Sequence, residues 1–288
     1  MKLVTFTQGG RARLGAWIAG DQIVDLHAAN NAIPDSMLAF LQAGESARKL
    51  AEHVVSHVPQ TAIYPLAQVT LNAPVPRPGK IICIGLNYRD HAAESGQAVP
   101  DFPTVFAKYA SCVIGPDQPI EIPKVTEQVD YEAELAFVIG EQARHVAEFN
   151  ALSYVAGYVP FHDVSARDYQ TRTSQWTLGK TFDTFGPMGP ALVTRDEIPD
   201  PQTLDISLSV NGEVLQHSNT RELVFSVQKL VTILSSVMTL EPGDLVSTGT
   251  PSGVGAARNP KRWLRAGDVV RIEIGGLGVL SNPVINEA

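Results

Sequence analysis

In Tyr131-Glu132-Ala133-Glu134-Leu135-Ala136-Phe137-Val138-Ile139 two acids stand two positions apart, and the rest is apolar or aromatic. Side chains alternate along a strand, so Glu132 and Glu134 share one face, about 7 Å apart along the chain. Ala136 and Val138 continue that face, while Ala133, Leu135, Phe137 and Ile139 fill the other. A strand apolar on both faces is interior, and two unpaired carboxylates there are very costly. They need a cation. Mg²⁺ is a hard ion that accepts a few carboxylates at about 2.0–2.1 Å and keeps waters for a substrate to displace. The same acids at a strand end facing water need no cation, and this segment alone does not choose.

A third carboxylate follows in Phe161-His162-Asp163-Val164-Ser165-Ala166-Arg167-Asp168. Asp163 ends an apolar run (Val155, Tyr158, Val159, Phe161), as at a strand end where ligands commonly sit. Arg167 and Gln170 fall on one helical face if a turn begins here. An arginine there can grip a carboxylate through two parallel hydrogen bonds, or simply pair with Asp163 at the surface. His162 points away from Asp163 and reads as structural. In Gly85-Leu86-Asn87-Tyr88-Arg89-Asp90-His91-Ala92-Ala93-Glu94-Ser95-Gly96, a short helix over 88–95 makes His91 and Glu94 an i,i+3 pair. A carboxylate that orients an imidazole is the usual arrangement of a general base. Gly85 and Gly96 would permit this segment to move as a lid; an exposed helix with an incidental pair is the plainer alternative.

Lys180 sits in the loop Trp176-Thr177-Leu178-Gly179-Lys180-Thr181-Phe182-Asp183-Thr184-Phe185-Gly186-Pro187. In so apolar a loop it could stabilise a developing enolate or oxyanion, although most lysines are merely solvated. Ser247-Thr248-Gly249-Thr250-Pro251-Ser252-Gly253-Val254-Gly255 lacks the Gly-Lys-Ser/Thr ending of a nucleotide-binding loop. Its amides and hydroxyls suit a substrate carboxylate, and a plain Gly-rich turn fits equally well.

The chain has 288 residues with 22 Lys+Arg against 30 Asp+Glu, a formal net charge of −8. That acidity argues against nucleic acid as a partner. Charged residues are 18 %, below the roughly 25 % of ordinary soluble domains, which implies much surface buried in a core or against a partner. No stretch approaches the roughly 18 apolar residues of a membrane span, and no signal peptide is visible. Cys83 and Cys112 form no metal or redox motif and read as small buried hydrophobes. These features predict a reduced, cytoplasmic protein.

Residues 2–27 read as a β-meander and 35–57 as helix, divided at Gly44. Pro74-Val75-Pro76-Arg77-Pro78-Gly79 places a boundary between a small N-terminal α/β domain, 1–75, and a catalytic domain, 76–288. The second domain reads as α+β and β-rich. Asn211-Gly212 predicts a type I′ hairpin over 204–216. A capping-box-like start at Asn219 predicts a helix carrying Leu223, Val227, Leu230 and Leu234.

Taken together, GLNYRDHAAE, DYEAELAFVIG, HDVSARDYQ, LGKTFDTFGPMGP and STGTPSGVG resemble, in order, the fumarylacetoacetate hydrolase family, in its shorter domain-containing branch. The resemblance runs from about Lys80 to Asn282. It implies a rolled mixed β-sheet, a Mg²⁺ or Mn²⁺ ion and a homodimer. It places the metal on Glu132, Glu134 and Asp163, a base pair on His91 and Glu94, and an enolate-stabilising cation on Lys180. Substrate contacts fall on Arg167, Gln170 and Thr250. The full-length family enzyme has a fourth acidic ligand where this chain has Cys83-Ile84-Gly85-Leu86, which argues against fumarylacetoacetate as substrate. Phe106-Ala107-Lys108-Tyr109 also departs from the family's frequent Lys-Pro pairing. The implied reaction is metal-dependent hydrolysis of the C–C bond of a 2,4-diketo acid through a pyruvate enolate. Oxaloacetate decarboxylation and keto–enol tautomerisation are the alternatives on the same site, and a non-catalytic metal- or acid-binding protein is a further one. Residues 97–104 are expected to form part of the pocket wall.

Overall fold

A computed structural model describes residues 1–288. The strand Ala133–Ile139 is buried at every position. It pairs antiparallel with Val155–His162 on one side and with Leu245–Ser247 on the other. Its alternation separates two cores. Ala133, Leu135, Phe137 and Ile139 enter a cluster of 38 buried residues, while Ala136 and Val138 enter a second cluster of 23. A period of two on a pleated strand requires this split once both faces are covered.

The large sheet has eleven strands. From one edge it runs Ile63–Pro65, Gln22–Asp25, Arg11–Ile18, Lys2–Gln8, Leu192–Thr194, Val155–His162, Ala133–Ile139, Leu245–Ser247, Ile81–Gly85 and Thr104–Lys108, with Thr70–Asn72 beside Lys2–Gln8. Leu245–Ser247 and Ile81–Gly85 pair in parallel, which makes the sheet mixed. A five-stranded sheet faces it across the larger core, ordered Glu213–Asn219, Asp205–Val210, Val269–Ile274, Gly278–Asn286 and Ile120–Ile122. The helix Val227–Val237 adds Val227, Leu230, Val231 and Leu234 to that core. On the opposite face the helix Met37–Ser56 adds Met37, Phe40, Leu41, Ala47, Ala51 and Val54 to the smaller one. The fold is thus β-rich α+β, as expected. No helix is long and apolar enough to cross a membrane.

Gly44, at φ 63° and ψ −144°, interrupts the helix Met37–Ser56 where the sequence places a division. The Asn211-Gly212 turn has φ of 54° and 85°, the two positive values a type I′ turn needs. Two expectations need correction. The helix starts at Val227 with Ser226 as its cap, and Asn219 caps only a separate single turn, Thr220–Glu222. Long-range bonds hold the preceding residues extended: Val224 N–H donates to Asn87 O, and Phe225 N–H to Asn87 Oδ1, both at 2.7 Å. The strand expected from Tyr131 begins at Ala133, after a separate short strand Val129–Asp130. The first strand pairs Lys2 with Val193 and Leu3 with Leu192, so the N-terminal meander continues the large sheet across the proline-rich crossing.

Candidate active site

Two paired strands bring the acids together. Glu134 projects from the strand Ala133–Ile139, and Glu132 stands one residue before it. Asp163 follows the paired strand Val155–His162, its N–H donating to Glu132 O at 3.0 Å. Carboxylate oxygens of Glu132, Glu134 and Asp163 lie within 4.8 Å of one another, all buried.

Cations meet two of the three. Lys180 Nζ lies 2.7 Å from Glu132 Oε2 and 2.8 Å from Asp163 Oδ2. Arg167 Nη2 lies 2.7 Å from Glu132 Oε1, an ion pair rather than a well-aligned hydrogen bond. Lys108 Nζ lies 2.6 Å from Asp163 Oδ1 and donates to Val164 O at 3.1 Å. Burial pushes the Glu132 carboxyl up, but Lys180 and Arg167 more than reverse this, to about 2. Burial alone would lower Lys180, yet Asp163 and Glu132 hold its ammonium above the ordinary range.

Glu134 has no cation. It accepts only from the Ser247 hydroxyl and from Gly249 N–H at 3.0 Å. Burial, then the charges of Asp163 and Glu132, hold its carboxyl well above the usual carboxylate range. Three hard oxygen donors, one lacking a counter-charge, fit a divalent cation. Glu134→Gln is therefore expected to leave the metal-free protein at least as stable as wild type, because the neutral amide replaces a carboxyl whose ionisation burial and its acidic neighbours already oppose. Wild type should gain about 2.7 kcal/mol when Mn²⁺ reaches a hundred times its Kd, and the variant far less. Thermal unfolding with and without Mn²⁺ reads both effects; an equal Mn²⁺ gain in the two proteins would remove Glu134 from the metal site.

The expected helix forms over Arg89–Glu94, and His91 Nδ1 lies 3.2 Å from Glu94 Oε2. Gly85 is not a hinge. It is buried inside the strand Ile81–Gly85, and a Cβ there would lie 2.4 Å from the Trp176 ring. Arg167 does not pair with Asp163 at the surface. Its Nε donates to Asp130 Oδ2 at 2.8 Å and its Nη1 to Gln170 Oε1 at 2.9 Å. Thr250 has less to offer a substrate than expected: its hydroxyl donates to Ala133 O and accepts from Gln216 Nε2, both at 2.9 Å. His162 is structural, as expected: burial pushes it down to about 3, so it is neutral.

The Gly-rich loop binds carboxylates, but they belong to the protein. Gly249 N–H reaches Glu134, Gly253 N–H reaches Glu94 Oε1 at 2.9 Å, and Gly255 N–H reaches Asp130 Oδ1 at 2.7 Å. Asp130 and Lys108 were missed by sequence reasoning. Asp130 is fully buried and also accepts from Ala256 N–H at 2.9 Å. Its partners Arg167 and Gly255 are 37 and 125 positions away, beyond any local pattern. The signals for Lys108 were its place in an otherwise apolar run and the departure from the family's Lys-Pro pairing, and neither assigned it a role.

His91, Glu94, Glu132, Glu134, Arg167, Gln170, Lys180 and Thr250 all line one cavity of about 500 Å³, with Asp163 beneath it. Of residues 97–104 only Gln97 reaches it; Phe106, Trp176, Val254, Ala256 and Ala257 form the apolar wall instead. No residue of 1–75 lines it.

Residues 80–285 match the family described as fumarylacetoacetate (FAA) hydrolase C-terminal. The chain belongs to the fumarylacetoacetate hydrolase family. Within it, the chain is 47 % identical over 290 residues to a mitochondrial oxaloacetate tautomerase of Xenopus laevis, covering 99 % of this chain and 90 % of that one. The solved fumarylacetoacetate hydrolase of Exiguobacterium antarcticum superposes with a TM-score of 0.87 at 38 % identity, covering 100 % of both chains. The maleylpyruvate hydrolase of Sphingobium sp. SYK-6, solved with manganese(II) and pyruvate, gives 0.83 at 35 % identity over 100 % of both. These family members are enzymes, and so is this chain. The expected cytoplasmic location is overturned by the relatives, which are mitochondrial by name. The two buried thiols, Cys83 and Cys112, fit any reducing compartment and never distinguished between them.

Proposed function

We propose that this enzyme interconverts the keto and enol forms of oxaloacetate with a divalent metal, Mg²⁺ or Mn²⁺, held by Glu132, Glu134 and Asp163. The observation that carries the reading is the sharing of one cavity by a histidine–carboxylate pair, a buried ammonium and an acidic cluster. The likeness to an oxaloacetate tautomerase favours this reaction among the three that the site could serve. When bound, the metal supplies Lewis-acid polarisation of the 2-oxo group.

His91, oriented through Nδ1 by Glu94, takes a proton from C3 as the C2 carbonyl becomes an enolate. Lys180, kept charged by its two carboxylates, offsets the negative charge growing on the C2 oxygen. His91 then returns the proton to that oxygen, so atoms and charge balance and no water is consumed. Lys108 and Arg167 hold Asp163 and Glu132 in place around the reacting end.

The apolar wall formed by Phe106 and Trp176 favours a second reading, hydrolysis of an acylpyruvate whose acyl chain lies against it. The homodimer belongs to the same set of proposals, supported by the open edge of Thr104–Lys108 with Phe102, Val105 and Tyr109 exposed. The test follows oxaloacetate with Mg²⁺ present, measuring enol, pyruvate and CO₂ separately, and an acylpyruvate in parallel. Metal-dependent enol conversion with little pyruvate is expected. Equal release of pyruvate and CO₂ would make the enzyme a decarboxylase, and faster cleavage of the acylpyruvate would make it a hydrolase.

A further inference from the structure

The wall of the cavity has an unusual construction at its aromatic side. Trp176 caps the short helix Thr177–Lys180, so Trp176 and Lys180 are four positions apart, on one face. Both line the cavity. The Phe106 ring stands between them, edge-on to Trp176 with centroids 5.4 Å apart and with Lys180 Nζ 5.1 Å from its own centroid. Behind the indole is Gly85. An added Cβ would lie 2.4 Å from Trp176 Cζ3 and 2.9 Å from Cη2, so the ring occupies space that any side chain at 85 would take. Gly85 has an ordinary strand conformation, with no positive φ, so backbone freedom does not explain the glycine. Close approach of the indole does.

We propose that Trp176, seated on Gly85, is a specificity-determining residue: it sets how long a carbon chain the cavity accepts beyond the 2-oxo acid end. This role depends on the proposed reaction only in placing that end against Lys180 and the acidic cluster. Four residues of helix advance about 6 Å, so the indole meets the substrate a short distance beyond the reacting carbons. A skeleton as short as oxaloacetate fits beneath it, and a longer one runs into the ring. Phe106 and Gly85 keep the ring from swinging aside. Arg167 is held by Asp130 and Glu132 at the head end and sets no length.

Calorimetry with Mn²⁺ present measures binding of straight-chain 2-oxo acids from pyruvate to 2-oxooctanoate, independently of turnover. Wild type is expected to lose affinity as the chain lengthens. Trp176→Ala should raise affinity for the long members about tenfold or more relative to pyruvate. Trp176→Leu, which keeps an apolar side chain over Gly85, should fall between. Gly85→Ala should weaken binding when Trp176 is present and have little effect beside Trp176→Ala. If both Trp176 variants change pyruvate and 2-oxooctanoate affinity alike, or if Gly85→Ala acts equally in both backgrounds, the inference is wrong. Turnover is separate: a chain-length shift in a protein that leaves oxaloacetate unchanged would overturn the proposed reaction and leave the wall intact.

Discussion

His91→Ala is expected to lower turnover of oxaloacetate by about 10²- to 10⁴-fold, the range a positioned general acid–base supplies. The fold should barely notice. The helix Arg89–Glu94 is held mainly by other contacts: Arg89 Nη1 donates to Leu223 O at 3.1 Å, and Ser218 Oγ donates to Asp90 Oδ2 at 2.7 Å. A partly exposed histidine–carboxylate pair contributes at most about 1 kcal/mol. Glu94→Gln should cost less activity than the loss of the ring, because the amide still accepts from Gly253 N–H and still faces His91. Steady-state kinetics beside thermal unfolding separate the two effects. Retention of turnover within tenfold in His91→Ala would assign the proton transfer to another group.

Lys180→Met has the opposite signature, since it should strike stability and activity together. Its ammonium bridges Glu132 and Asp163 in a fully buried setting. Removing one member of such a cluster leaves carboxylate charge uncompensated, at a cost of about 3–5 kcal/mol. Turnover should fall about 10²- to 10³-fold for loss of a cation facing the growing charge on oxygen. Divalent metal distinguishes the two roles. Added Mn²⁺ should return part of the lost stability, because it supplies positive charge to the same carboxylates, without returning turnover. If Mn²⁺ restores both, Lys180 is a structural counter-ion and not a participant in the reaction.

The alternation of Glu132 and Glu134 with apolar neighbours was readable because a pleated strand has a fixed period. It led to the two-core arrangement around Ala133–Ile139 as well as to the acidic cluster. His91 and Glu94 were readable for the same reason at helical spacing. Motif order through Gly249 supplied the rest of the candidate site. What was not readable depended on contacts between distant segments. Leu223 has the right spacing for a helix, yet Asn87 reaches in from far along the chain and takes the backbone groups that a helix would use. Gly85 looked like a hinge because nothing nearby in sequence shows the indole of Trp176 resting on it. The Gly-rich loop does bind carboxylates, but local sequence cannot show that Asp130, Glu134 and Glu94 arrive there first.

That loop has a consequence for how the site can change over generations. Gly249, Gly253 and Gly255 each hold a different carboxylate through a main-chain N–H: an acid of the buried cluster, the partner of the imidazole, and the anchor of Arg167. Main-chain donors cannot be exchanged one at a time by substitution, and a shift of this backbone displaces all three together. Epistasis among the three is therefore built into the loop. A lineage altering one of these functions must carry the others with it, whereas the aromatic wall forms a separate coupled unit, in which Phe106 and Gly85 both pack against Trp176.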